Sequence, residues 1–124
     1  MAFIVDEETG DITLVQGDSG EYIVSDLPTD KNYSLYFAIQ DENRNPVGPE
    51  INVEANGSST VTFSIVPSLT DLLTVIRGEE TQDYYFGIKI CYAADNFEDT
   101  LLLGNKNLGD LNIITVYPKK VEGI

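Results

Sequence analysis

Residues 84–92 set the strongest limit on what this chain can fold into. Tyr84, Phe86, Ile88, Ile90 and Tyr92 alternate with Tyr85, Gly87, Lys89 and Cys91. A period of two places the two sets on opposite faces of an extended strand, whereas a helix would scatter the apolar set around its axis. The same alternation recurs twice. Tyr33, Leu35, Phe37 and Ile39 alternate with Ser34, Tyr36, Ala38 and Gln40, and Val61, Phe63 and Ile65 alternate with Thr60, Thr62 and Ser64. Aromatic and β-branched enrichment on one phase predicts half-buried strands with one face inward. Shorter strands are expected at 12–16, 21–24, 51–54, 100–103 and 112–117, with an edge strand at 3–5.

Turn chemistry punctuates these runs. Gly17-Asp18-Ser19-Gly20 makes a tight connection, and residues 41–46 form a polar loop closed by Pro46. Asn56-Gly57 between two strand patterns predicts a hairpin, because a type I′ turn needs positive φ at both central residues. One segment leaves the β pattern. Ser68-Leu69-Thr70-Asp71 reads as a capping box, and Leu69, Leu72, Leu73 and Ile76 share one helical face. With Pro67 before it and Gly78 after it, this predicts a helix of about two turns over 68–76, plugging one end of the core with leucines. The expected fold is all-β: an antiparallel, Ig-like β-sandwich with that one short helix, an open barrel being the related alternative. A single domain covers 1–124, with 1–10 as an N-terminal arm or edge strand and 118–124 as a C-terminal tail.

Composition narrows the function. The chain has 124 residues, 21 acidic against 7 basic, for a net charge of −14. The basic residues are scattered, so no stripe follows a phosphate backbone, and nucleic-acid binding is not expected. There is no histidine, which removes the usual general base and the commonest metal ligand. The single Cys91 excludes an internal disulfide and a multi-thiolate zinc site. The first residues lack the basic and apolar regions of a signal peptide, and no apolar run approaches the roughly 20 residues of a membrane helix. The expectation is a non-enzymatic protein made in the cytoplasm, with no cofactor, no metal and no membrane insertion.

Individual motifs agree. Gly17-Asp18-Ser19-Gly20 spells the tetrapeptide around a serine-protease nucleophile, but Ser19 has no histidine to take its proton. Residues 41–45 begin like a calcium loop, yet Pro46 stands where glycine is needed and Asn52 where a bidentate glutamate is needed. Asp95, Glu98 and Asp99 read as a solvated acidic loop that would be the remaining place for a hard cation. No pair of carboxylates is marked out for glycoside cleavage. Tyr36 and Tyr85 lie out of phase with the core residues of their strands and are the candidate interface anchors. Lys119 and Lys120, the one clustered positive charge, are the candidate contacts for an acidic neighbour.

The order of these features resembles a known pattern. The run 12–20, Ile-Thr-Leu-Val-Gln-Gly-Asp-Ser-Gly, is similar to the strand–Gln-Gly-Asp–strand opening of small β-sandwich modules in tailed-phage structural proteins, such as the N-terminal domain of lactococcal-phage upper baseplate proteins. Leu35–Asp41, Val61–Ile65 with the Leu-rich helix, Tyr84–Ile90, Asp99–Gly104 and Ile114–Pro118 follow in the same order. The resemblance covers residues 11–118. It implies a virion component of tail, baseplate or head surface, working as a homo-oligomer with other virion proteins and synthesised in the bacterial host cytoplasm. Upper baseplate proteins continue into a coiled coil or further domains, whereas this sequence stops at Ile124, which turns the expectation toward a decoration, adaptor or head-fibre protein. The alternative is a stand-alone module binding carbohydrate or a host surface protein, resting on outward tyrosines and acidic loops.

Overall fold

The computed structural model describes residues 3–120. Among the described residues there are nine strands, one α-helical turn and one 3₁₀ turn (Ala93–Asp95): β1 (Phe3–Val5), β2 (Ile12–Val15), β3 (Gly20–Val24), β4 (Ser34–Gln40), β5 (Ile51–Glu54), β6 (Val61–Ile65), α1 (Pro67–Thr70), β7 (Gln82–Tyr92), β8 (Phe97–Thr100) and β9 (Asn112–Tyr117). Seven strands form one curled sheet in the order β1-β2-β9-β7-β4-β5, with β8 pairing β7 beyond the end of β9. The other two, β3 and β6, form a separate antiparallel ribbon. The segment 1–10 thus contributes an edge strand, β1, while Met1, Ala2 and residues 121–124 of the expected tail lie outside the described residues.

The alternation read from the sequence sets the core. Leu35, Phe37 and Ile39 of β4 and Tyr84, Phe86, Ile88 and Ile90 of β7 are all buried, as are Val61, Phe63 and Ile65 of β6. Phe37 sits at the centre, with ring centroids 5.1 Å from Phe86, 5.6 Å from Phe63 and 6.1 Å from Tyr22. Two of those rings belong to the ribbon and two to the large sheet, so this cluster presses the ribbon onto the concave face. Strand β3 lies beside β1, and β6 beside β5, so the ribbon bridges the two edges of the curled sheet. At the β1 contact, Gly20 faces Phe3 so closely that a methyl group there would overlap the ring.

Four expectations need correction. The sheet is mixed rather than wholly antiparallel, since β2 and β9 run parallel with Ile12 opposite Ile114. A period of two fixes which face is buried but not the direction of the neighbour, and the rest of the chain supplies the long crossover a parallel pair requires. The Asn56-Gly57 turn forms, with φ of 50° and 81° and a 2.8 Å bond from the Ser58 N–H to the Ala55 carbonyl, but it makes no hairpin. Its flanking strands part, β5 to β4 and β6 to β3.

The helix is a single turn, Pro67–Thr70, in place of 68–76; Val66 is its N-cap residue, and there is no side-chain cap. Gln16 Nε2 donates to the Asp71 carbonyl at 2.9 Å, occupying the acceptor a longer helix would use, while Thr70 Oγ1 donates to the Asp18 carbonyl at 2.8 Å. Leu69 and Leu73 still reach the core, but Leu72 and Ile76 are exposed. Finally, the strand expected at 100–103 lies earlier, at Phe97–Thr100. Asn96 with φ of 54° closes a 3₁₀ turn at Ala93–Asp95, and β8 folds back on β7. Leu103 is buried without being in a strand.

Two substitutions test this packing by chemical denaturation. Phe37→Ala should cost about 3–5 kcal/mol, while Ala38→Ser on the opposite face should cost less than about 0.5 kcal/mol. Gly20→Ala should cost about 1–3 kcal/mol through overpacking, most of it disappearing when Phe3 is also replaced by Ala. Equal costs at 37 and 38 would show that the strand phase is wrong.

Candidate functional site: the outer face of the large sheet

The residues opposite in phase to the core form the convex face. Register sets their neighbours: Tyr36 lies opposite Lys89, Ala38 opposite Gly87, and Gln40 opposite Tyr85. On the next strand Tyr85 lies opposite Ile113, and farther along Tyr117 lies opposite Val15. Tyr36, Tyr85, Ile113 and Val15 are half-buried, and Tyr117 is exposed. A solvent-facing sheet surface ordinarily alternates to polar residues. This one carries two apolar pairs, Tyr85–Ile113 and Tyr117–Val15, with the polar row Asp83, Thr115 and Thr13 between them.

A cleft of about 450 Å³ opens on the same face. The Ala38–Gly87 pair forms its floor, and Tyr36 and Lys89 stand on one side of it. Gln40, Arg44 and Glu50 line a second side, from β4 and the loop that follows it. Thr100, Asp110 and Leu111 line the third, where β7 changes partner. Strand β9 pairs with β7 over Gln82–Phe86 and β8 over Lys89–Tyr92, leaving Gly87 and Ile88 between them. A Cβ at Gly87 would meet open space.

The remaining candidates are placed as follows. Lys119 is committed within the chain, its Nζ 2.5 Å from Asp71. It ties the end of β9 to the segment after α1. Lys120 is exposed next to it. Tyr36 and Tyr85 share a face but not a site, for Tyr36 walls the cleft and Tyr85 packs toward Ile113. Ser19 lies exposed in the β2–β3 connection. Asp41 accepts hydrogen bonds from the Asn43 and Asn45 N–H groups, both at 2.9 Å, so its carboxylate closes its own loop. Asp95 pairs with Lys31 at 2.5 Å and Glu98 with Lys89, each bond holding the lysine above its ordinary pKa. Asp99 accepts from the Thr100 N–H. Among the described residues no group of three or more His, Cys, Asp or Glu is placed to hold a metal ion, and no helix is long and apolar enough to cross a membrane.

Sequence reasoning missed the cleft. It is built from β4, β7, the Asp41–Pro46 loop and the start of β9, which meet only through the register. The one local signal was Gly87, a glycine inside an otherwise strong strand pattern. In comparisons with family models and with curated proteins, nothing matches the chain.

Beneath the sheet, a polar node fixes the start of β9. Asp11 accepts from the Ile113 N–H at 2.9 Å and pairs with Lys106 at 3.1 Å. Tyr22 donates its hydroxyl to the Gly10 carbonyl at 2.7 Å. Burial, reinforced by the Asp11 charge, pushes the Tyr22 phenol up to about 12. Its folded value lies above its unfolded one near 10, so the stability it contributes is complete below about pH 10 and is lost as pH climbs through about 12. Thermal melts between about pH 9 and pH 12 should therefore fall more steeply for the parent than for Tyr22→Phe. Parallel slopes would show that the phenol ionises freely.

Proposed function

We propose that this chain is a non-enzymatic structural module of a tailed-phage virion, a β-sandwich that works through contacts with further copies of itself and with other virion proteins. The sandwich reading is supported by the ribbon β3–β6 packing across the Phe37 cluster onto the large sheet. The virion reading rests on the resemblance of residues 11–118 to phage structural modules. The observation that carries the contact role is the pair of outward tyrosines on the convex face, Tyr85 opposite Ile113 and Tyr117 opposite Val15. Tyrosine supplies area and a hydrogen bond at low entropic cost, which suits it to interfaces. Lys119, held by Asp71, belongs to the fold, which leaves Tyr85 as the leading anchor. A second reading, a module that binds carbohydrate or a host surface, is favoured by the cleft beside Tyr36.

Charge provides the test. A net −14 makes identical copies repel at low salt. Self-association measured by sedimentation should strengthen as salt rises to physiological levels, where screening sets in beyond about 8 Å. Tyr85→Ala should weaken it by about tenfold or more without lowering the melting temperature. A chain that stays monomeric at every salt and protein concentration, and binds no phage head or tail protein, would remove the reading.

A further inference from the structure

We propose that the cleft over Gly87 binds a neutral saccharide, a mono- or disaccharide unit. The inference deepens the second reading above, on which it rests, and is independent of the assembly reading. Its first support is Gly87 itself. Glycine inside a strand weakens it, and a strand glycine often marks a place where another group approaches closely. Nothing in this chain needs that room, because a Cβ at Gly87 would meet open space. With Ala38 directly opposite, backbone lies bare at the bottom of a depression whose rim carries long side chains.

The second support is charge. The whole chain carries −14, yet the cleft is lined by Arg44 and Lys89 beside Glu50 and Asp110, and Lys89 is also paired with Glu98. An anion gains nothing where acids match or outnumber the bases, and a cation meets Arg44 and Lys89. A neutral ligand with many hydroxyls fits both halves of the set. Each hydroxyl donates and accepts, so carboxylates can accept its hydrogen bond while Arg44, Lys89 and Thr100 donate to its oxygen. Gln40 does both. Tyr36 adds an aromatic surface for the C–H face of a sugar ring.

The third support is size. At about 450 Å³ the cleft falls within the roughly 300–1,000 Å³ of small-molecule sites. It is shallow and open, so the affinity expected is weak, with Kd of about 1 mM.

The test is an amide NMR titration of the full chain with glucose, galactose and N-acetylglucosamine, run beside glucosamine and N-acetylneuraminate as cationic and anionic arms. At least one neutral sugar should shift the Gly87, Ala38 and Tyr36 resonances at up to about 100 mM ligand. That binding should change less than about twofold between 0.02 and 0.3 M salt, roughly the concentrations where screening alters charged contacts. Gly87→Val fills the cleft floor with a strand-favouring side chain. It should weaken binding by about tenfold or more while melting no lower than the parent. If that variant does not fold, Tyr36→Ala serves instead, with the same loss of binding expected. The proposal is overturned if no neutral sugar shifts these residues, if a charged analogue binds more tightly, or if the folded variant binds as the parent does. None of these outcomes touches the sedimentation result.

Discussion

The fold hangs on one aromatic contact set, the rings of Tyr22, Phe63 and Phe86 gathered around Phe37. A two-stranded ribbon is marginal on its own in water. Here β3 and β6 gain stability by laying alternate side chains onto the concave side of the large sheet. Tyr22 and Phe63 occupy directly opposed positions in the ribbon, as Phe37 and Ile88 do in the sheet. The sheet's curl follows from the same contact. Its two edge strands, β1 and β5, approach the ribbon, and the tight fit of Gly20 against Phe3 shows how little slack that closure leaves.

Charge plays a different part from packing. Four of the five lysines pair with a specific acid: Lys31 with Asp95, Lys89 with Glu98, Lys106 with Asp11 and Lys119 with Asp71. The exposed ones among them add little to stability, because solvent screens them. Their value lies in what they join. Lys31 and Asp95, with Tyr33 packed edge-on against Tyr92 and Phe97, hold the β7–β8 hairpin to the chain before β4. Lys106 and Asp11 are the most enclosed pair, and the Ile113 N–H bonds the same carboxylate. That carboxylate thus helps set the register of the parallel β2–β9 pair.

What the sequence made legible was phase. In β4, β6 and β7 the residues expected inward are the buried ones, except half-buried Tyr92 at the end of β7, because alternation is a property of each strand alone. Partners and directions are properties of the whole chain, and these were not legible. Asn56-Gly57 specified two positive φ values and both occur, but a turn does not dictate that its flanking strands pair. The Leu69, Leu72, Leu73, Ile76 spacing promised two helical turns, and one formed. The missing turn lost its Asp71 acceptor to Gln16, a residue 55 positions away. Leu101-Leu102-Leu103 suggested a strand by composition. The structure uses it to drop Leu103 into the core beside the β1–β2 loop, where the Asn105 N–H bonds the Glu8 carbonyl. Of the candidate site, the outward tyrosines were visible in advance and the cleft between them was not.

The cleft follows from a mismatch of strand lengths. β7 runs eleven residues, and on its β4 side the pairing from Tyr85 to Cys91 is continuous. On its other side no partner is as long. β9 ends its pairing at Phe86, β8 begins at Lys89, and the Ile88 carbonyl is met by the Leu101 N–H at 3.0 Å. A gap in the ladder would leave backbone groups unpaired, and this crossing bond satisfies one of them. Thr100 from one partner and Asp110 and Leu111 from the approach to the other line the cleft at this fork. Small residues then complete the depression, since a large side chain at 38 or 87 would fill the space that the fork has opened. The depression therefore needs both the fork and the Ala38–Gly87 pair. A Cβ at position 87 would meet open space, so it can enter the depression without touching the ladder that creates it.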